Sequence, residues 1–189
     1  SIPNVTDDGQ WANLNTGAWS YYNNSSSNDA TYGKLYNWYA VNTNKLCPTG
    51  WHVPTDSEWT VLTDYLAANG HSGTEGTALK STSGWNSGGN GTDDYGWLGL
   101  PGGYRYGDGS FSLIGSYGLW WSSSQDSTYN AWSRNMGNDD GLVHSSSRSK
   151  RVGFSVRCLR DDESTHSNSQ SRLENGETPL DIYQSGVPI

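Results

Sequence analysis

The chain is short of aliphatic residues. Its apolar fraction is only 32%, with one methionine and two phenylalanines, while ten tryptophans and twelve tyrosines stand where leucine and isoleucine usually do. A core is still attainable, because each buried aromatic ring removes roughly 150–250 Å² from water. That aromatic content also excludes low-complexity disorder, since disordered chains are depleted in such residues. Positive charge is scarce as well: eleven Lys and Arg face nineteen Asp and Glu, for a formal net charge of −8. No basic patch is large enough for a nucleic-acid footprint, and the cluster Arg148, Lys150, Arg151 reads as a solvated edge. No apolar run is long enough to span a bilayer, and no signal-peptide core is visible. The 24 glycines and abundant Ser and Asn imply turns and loops with little helix.

Sulfur and metal chemistry have few residues to work with. The two cysteines, Cys47 and Cys158, lie too far apart for a Cys-x-x-Cys redox or zinc motif. They form either one long-range disulfide in an oxidising compartment or two buried thiols in a reducing one. His52, His71, His144 and His166 share no metal-ligand spacing. His52, beside Trp51, reads as structural, whereas His144 falls where it could touch a ligand. The pairs Asp7-Asp8, Asp93-Asp94, Asp139-Asp140 and Asp161-Asp162 are adjacent. They do not supply the facing carboxyls of a glycosidase. Asn90, Asp93 and Asp94 offer hard oxygens of the kind calcium takes. The Asp-x-Asp-x-Asp-Gly pattern is absent, so hydrogen-bonded turn residues are the plainer reading. No Gly-x-Ser-x-Gly nucleophile elbow occurs.

What is present is organised. Thr55-Asp56-Ser57-Glu58 has the form of a capping box. Trp59, Leu62 and Leu66 then mark one face of a helix over residues 55–69 that Gly70 stops. Residues 32–41 fit a short helix or a strand, residues 17–22 a strand, and residues 73–80 a further helical turn. Short strands are expected near residues 99–101, 103–106, 117–122, 131–136, 141–144 and 153–159, with Gly107-Asp108-Gly109 as a hairpin turn. Most distinctive is the contrast within the last third. Leu100-Pro101-Gly102-Gly103-Tyr104-Arg105, Leu119-Trp120-Trp121-Ser122-Ser123 and Gly153-Phe154-Ser155-Val156-Arg157-Cys158 are rigid anchors. Residues 124–152, between the last two, are almost all Ser, Asn, Asp, Gly, Arg and Tyr, the mixture that paratopes favour. Within that stretch Tyr129 and Trp132 are the aromatic candidates for contact, Trp132 being the better candidate for core.

These anchors, with Tyr32-Gly33-Lys34-Leu35-Tyr36-Asn37-Trp38 and Cys47-Pro48-Thr49-Gly50-Trp51-His52-Val53-Pro54, resemble the Fibrobacter succinogenes major paralogous domain over residues 1–161. The resemblance implies a secreted or cell-surface module of Bacteroidota-like bacteria. Its expected fold is α+β and C-type-lectin-like, with small twisted antiparallel sheets, one or two helices and long loops. It favours a Cys47–Cys158 disulfide. By analogy with the variable proteins of diversity-generating retroelements, the ligand-facing residues would be Gln125, Asp126, Tyr129, Asn130, Ser133 and Arg134, then Asn138, Asp139, His144, Ser146 and Arg148. The calcium-sugar motifs of true C-type lectins and the closely spaced cysteines of formylglycine-generating enzymes are absent, so neither chemistry is carried over.

Residues 162–189 change composition to a polar linker and a short tail, expected to lead to a further module or to dock on a neighbour. The expected function is non-catalytic binding of a protein or glycan, without nucleic acid, membrane span or required cofactor. The main rival is an adhesive or filamentous surface subunit that self-associates through the tail or an N-terminal strand. A formylglycine-generating-type enzyme is a weaker rival.

Overall fold

The computed structural model of the chain describes residues 1–161; the expected linker and tail lie outside them. The elements, in order, are α1 (Asp8–Ala12), β1 (Trp19–Ser20), α2 (Asp29–Tyr32), β2 (Leu35–Tyr36), α3 (Trp38–Val41), β3 (Trp51–His52) and α4 (Asp56–Leu66). There follow α5 (Glu75–Leu79), β4 (Gly102–Arg105), β5 (Phe111–Ile114), β6 (Tyr117–Gln125), β7 (Asn130–Gly137), β8 (His144–Ser149) and β9 (Leu159–Arg160). The strands form three two-stranded ladders, β1-β2, β3-β9 and β4-β5, and one three-stranded sheet, β6-β7-β8. All are antiparallel, and the fold is α+β with small sheets and short helices.

α4 begins where its cap dictates. The Glu58 N–H donates to Thr55 Oγ1 (3.2 Å) and the Thr55 N–H returns to Glu58 Oε2 (2.7 Å), closing the capping box. Its buried stripe is Trp59, Leu62 and Leu66. The helix ends at Leu66 and unwinds through a wide turn in which Gly70 takes a φ of 95°. Other boundaries moved. Residues 32–41 hold both a strand and a helix, because Asn37 accepts from the Ala40 N–H (3.0 Å) and so caps α3 directly after β2. α1 is capped by Asp7, whose Oδ1 accepts from the Gln10 N–H at 2.7 Å. β8 occupies 144–149 rather than 141–144: serine has little β-propensity of its own, and pairing with β7 makes that run a strand. Gly99 makes a single bridge to Lys80 instead of a strand over 99–101.

β6 divides the core. Trp120 packs on one side with Trp59, Leu62, Leu66, Trp97 and Met136. Leu119 and Trp121 point the other way, to Tyr36, Trp38, Val41, Ala131 and Phe154. This is the period-two alternation of a strand, filled with rings on both faces. Residues 153–155, expected within a longer strand, tie three strands together instead. Gly153 exchanges bonds with Arg105 (N–H donors at 2.8 and 3.0 Å) and Phe154 exchanges bonds with Tyr36 (2.8 and 3.0 Å). Ser155 donates to Leu119 O (3.0 Å) and accepts from the Trp121 N–H (3.1 Å). The disulfide Cys47–Cys158 joins the two halves across 111 residues.

Candidate recognition face

The anchors are occupied with holding the fold. Gly103, at φ 63°, leaves no room for a Cβ, which would lie 2.6 Å from both Ile114 N and Ser112 O of the facing strand. Arg105 is fully buried. Its Nε donates to Gly109 O (2.8 Å), one terminal nitrogen donates to Val5 O (2.6 Å), and the other donates to Thr6 O (3.2 Å) and Asp8 Oδ1 (2.8 Å). Its guanidinium lies 4.3 Å from the Trp11 ring centroid and 4.7 Å from that of Phe111. One side chain therefore pins the N-terminal segment and α1 to the β4-β5 hairpin. Arg157 lies over Trp97 (4.3 Å) and donates to Leu98 O (2.9 Å). Burial lowers its pKa to about 10, against the opposing pull of Asp93.

The expected contact residues do not form one patch, because alternate residues of a strand face opposite ways. Ser133, Ser146, His144 and Arg148 share one face, set by the pairings Ser133–Ser146, Asn135–His144 and Ala131–Arg148. Asn130 and Arg134 belong to the other. Arg134, only 4% exposed, is ion-paired to Asp56 at the start of α4 and donates to Ser145 Oγ (2.9 Å), Asp56 O (3.1 Å) and Thr60 Oγ1 (3.3 Å). It fastens the sheet to the helix and is unavailable as a surface contact. Ser133 is buried as well, its hydroxyl donating to Ser146 O (2.9 Å).

The β6–β7 turn is braced from below. Buried Lys150 donates to Gln125 Oε1 (2.8 Å), Ser127 O (2.9 Å) and Thr128 O (2.9 Å), with Trp38 beneath it; burial lowers its pKa. Asp126 Oδ2 accepts from Ser147 Oγ (2.7 Å). Asn130 O accepts from the Asp126 and Ser127 N–H groups, closing the turn. Tyr129, 79% exposed, stands at its tip, and Trp132 is half-buried. At the other end of β7, Asn138 donates to Asn86 O (3.3 Å), and Asp139 is exposed. Buried Lys80 donates to Gly137 O (2.9 Å) and Asp140 O (2.7 Å), which stiffens that turn.

The Ser146 and Arg148 face carries residues that composition alone did not single out. Tyr104 and Tyr106, alternate residues of the β4 segment, lie with ring centroids 4.6 Å apart, edge to face. Tyr104 also meets Phe154 (6.0 Å), which packs on Trp121 (4.5 Å), and Trp121 is paired with Ser133. The Tyr117 ring extends over Gly137, beside Asp139 Oδ1; a Cβ on Gly137 would lie 3.4 Å from that ring. Asn135, 7% exposed, sits between Leu119 and His144 and donates to Ser146 Oγ at 3.3 Å. The Tyr104 pKa is raised by burial first, then by its bond to Tyr106, while nearby Arg148 works in the opposite direction. Tyr106 is 43% exposed. His144 Nε2 lies 2.7 Å from Asp140 Oδ2 at the acidic end of this face. The readable signal was the spacing Tyr104-x-Tyr106, which places both rings on one side of a strand.

The calcium candidates are engaged in separate turns. Asn90 Oδ1 accepts from the Trp85 N–H (3.0 Å) and Asp94 Oδ2 from Thr92 Oγ1 (2.7 Å). Asp93 Oδ1 accepts from the Leu98 N–H (2.7 Å), holding Leu98 at a φ of 53°. Among the described residues no three His, Cys, Asp or Glu converge as a metal site. His52 is held between two carboxylates, with Nε2 3.1 Å from Glu58 Oε1 and Nδ1 2.5 Å from Asp161 Oδ1. The bond to Glu58, opposed by burial and reinforced by Asp161, raises its pKa to about 9.

The molecule is thus a disulfide-stapled α+β domain whose anchor motifs serve the scaffold. The Fibrobacter succinogenes major domain matches residues 1–160, and the chain belongs to that family. No curated protein and no solved structure is significantly similar to it.

Proposed function

We propose that this domain is a non-catalytic binding module of the bacterial cell surface or extracellular space, and that its protein or glycan ligand docks on the face bearing Tyr106, His144, Ser146 and Arg148. The carrying observation is the mixture on that face: an exposed tyrosine backed by a second ring, with imidazole, hydroxyl and guanidinium groups on a braced sheet. Rigid amphipathic rings beside adaptable polar groups are the chemistry of recognition surfaces. The disulfide is compatible with an oxidising compartment. No described helix is long and apolar enough to cross a membrane.

The test is an array of surface glycans and proteins probed with the full chain and with Tyr106→Ala and Ser146→Trp. Loss of signal in both variants is the expected result. Ligand capture that neither variant weakens would remove this face from consideration. A second reading, a subunit of a surface assembly, draws on β8, the edge strand of its sheet, which offers backbone groups for strand addition. Light scattering on the full chain tests it: a strictly monomeric particle at high concentration argues against assembly.

A further inference from the structure

The β6-β7-β8 sheet has one covered edge and one open edge. Its ladder fixes which backbone groups the open edge presents. On β6, Leu119 O accepts from the Ser155 N–H (3.0 Å) and the Trp121 N–H donates to Ser155 O (3.1 Å), so both residues turn their backbone groups away from β7. Their partners on β7, Asn135 and Ser133, therefore turn theirs toward β8, where they meet His144 and Ser146. The same alternation holds at the far end, where the Lys150 N–H donates to Tyr129 O (2.9 Å). It follows that Ser145, Ser147 and Ser149 direct their N–H and C=O groups out of the sheet. Ser149 O accepts from the Val152 N–H (3.0 Å). The other outward groups have no hydrogen-bond partner among the described residues.

Open edges are ordinarily blunted by proline, lysine, a bulge or a covering segment. Ser145-Ser146-Ser147-Arg148-Ser149 has no proline or lysine, and β8 runs against β7 without a shift, whereas β6 carries one between Trp121 and Gln125. Small serine side chains let a further strand approach. Charge is spread unevenly along this edge. Near its start, His144 Nε2 lies 2.7 Å from Asp140 Oδ2. Near its end stands Arg148, exposed and without an ion-pair partner among the described residues, on the same face as His144 and Ser146. Antiparallel alignment of two identical strands sets the start of one against the end of the other. With a two-fold axis at Ser146, Ser145 faces Ser147 of the second copy and Arg148 faces the second copy's His144–Asp140 pair. Asp126, bonded to Ser147 Oγ (2.7 Å), and Arg134, paired with Asp56, lie on the other face and do not meet these groups.

We propose that β8 is a self-pairing edge, through which two copies of this chain join antiparallel about a two-fold axis at Ser146 into one continuous sheet. Backbone groups that end at solvent in one copy are then bonded: Ser145 exchanges bonds with Ser147 of the second copy, and Ser147 with its Ser145. Residues opposite each other in an antiparallel pair point to the same side, so Ser146 and Arg148 of both copies share one face. The dimer therefore sets two docking positions side by side and raises avidity for a repeated ligand without a new contact. A second copy fits this edge because the strand, reversed, is its own charge complement. The inference rests on the reading of β8 as an assembly edge and names its partner.

The experiment is analytical ultracentrifugation of the full chain from micromolar to near-millimolar concentration, with amide hydrogen exchange on the same samples. A monomer–dimer equilibrium is expected, and the Ser145 and Ser147 amides should exchange more slowly as the dimer fills. Ser147→Pro removes an outward N–H and leaves the bonds to β7 in place. Ser146→Arg sets like charges on the axis and keeps every backbone group. Each should weaken the dimer about tenfold or more. Should the proline variant lose the parent near-UV circular dichroism, the arginine variant decides alone. A dimer that neither variant weakens, with both amides unprotected, overturns pairing through β8, while the assembly reading stands on another surface. Growth beyond two copies that Ser147→Pro stops also overturns it, because a two-fold contact closes at the dimer and β8 must then take a different segment of its neighbour. A monomer at every concentration overturns both the pairing and the assembly reading.

Discussion

On one side of the β6-β7-β8 sheet, Trp120, Met136 and Arg134 press against α4 and its neighbours; on the other, Trp121 and Leu119 are buried under Tyr36, Trp38, Val41 and Phe154, with Tyr104 beside them. Beyond that cover, Ser146, His144 and Arg148 meet solvent. Both sides are written in the same residues, one position apart. Arg134 and Arg148 are the clearest pair: the first is enclosed and bonded to a helix, the second is exposed and unpartnered. The difference teaches that in a strand-rich domain the unit of function is the alternate residue. A polar segment of mixed composition can hold both the fastening and the contact surface.

Four measurements can break or sharpen that comparison. Trp120→Ala, on the closed side, removes a ring 4.9 Å from Trp97 and should cost about 4 kcal/mol in urea unfolding. Arg134→Ala strips the Asp56 pair and three further bonds and should cost about 2 kcal/mol. Ligand capture by that variant, measured below its unfolding midpoint, should match the parent; a selective loss of binding would mean the closed side also contacts ligand.

Away from both faces, His52 provides a pH-dependent control. A histidine whose folded pKa of about 9 lies above its unfolded value of about 6.5 stabilises the fold fully below pH ~6.5, and that contribution is lost as the pH rises through 9. Partial exposure screens the effect to about 1 kcal/mol. His52→Gln should flatten stability between about pH 6.5 and 9 without altering binding at pH 6; an unchanged slope would remove His52 from the account. Arg148→Gln, on the open side, should change stability by less than about 0.5 kcal/mol while reducing ligand capture. A large stability loss there would erase the distinction between the two arginines.

Several features were legible in the chain because they are local. Thr55 and Glu58 are three residues apart and close their capping box without help, and the Trp59, Leu62, Leu66 stripe follows from the helical period. Rings at Trp120 and Trp121 were bound for a core, and the family resemblance pointed to Cys47 and Cys158 as partners. The candidate site was only half readable. Ser146 and Arg148 lie on the open face, whereas Ser133 and Arg134 are enclosed, and Tyr104, Tyr106 and Tyr117 were not singled out as contacts. The missed tyrosines lie in or beside anchors whose other residues are scaffold, which masked them.

By itself the sequence determined an aromatic core, a capped helix, short strands between glycine-rich turns and a segment rich in recognition-type residues. Those follow from side-chain size, propensity and spacing along the chain. Tertiary structure alone decided which face each strand residue occupies, that Arg105 closes over the N-terminal segment, and that Lys150 is buried between two exposed arginines. The physical reason is register. A shift of one residue between paired strands exchanges inside for outside, and that pairing is set by contacts between residues far apart in the chain, such as Trp121 with Ser155 and Tyr36 with Phe154.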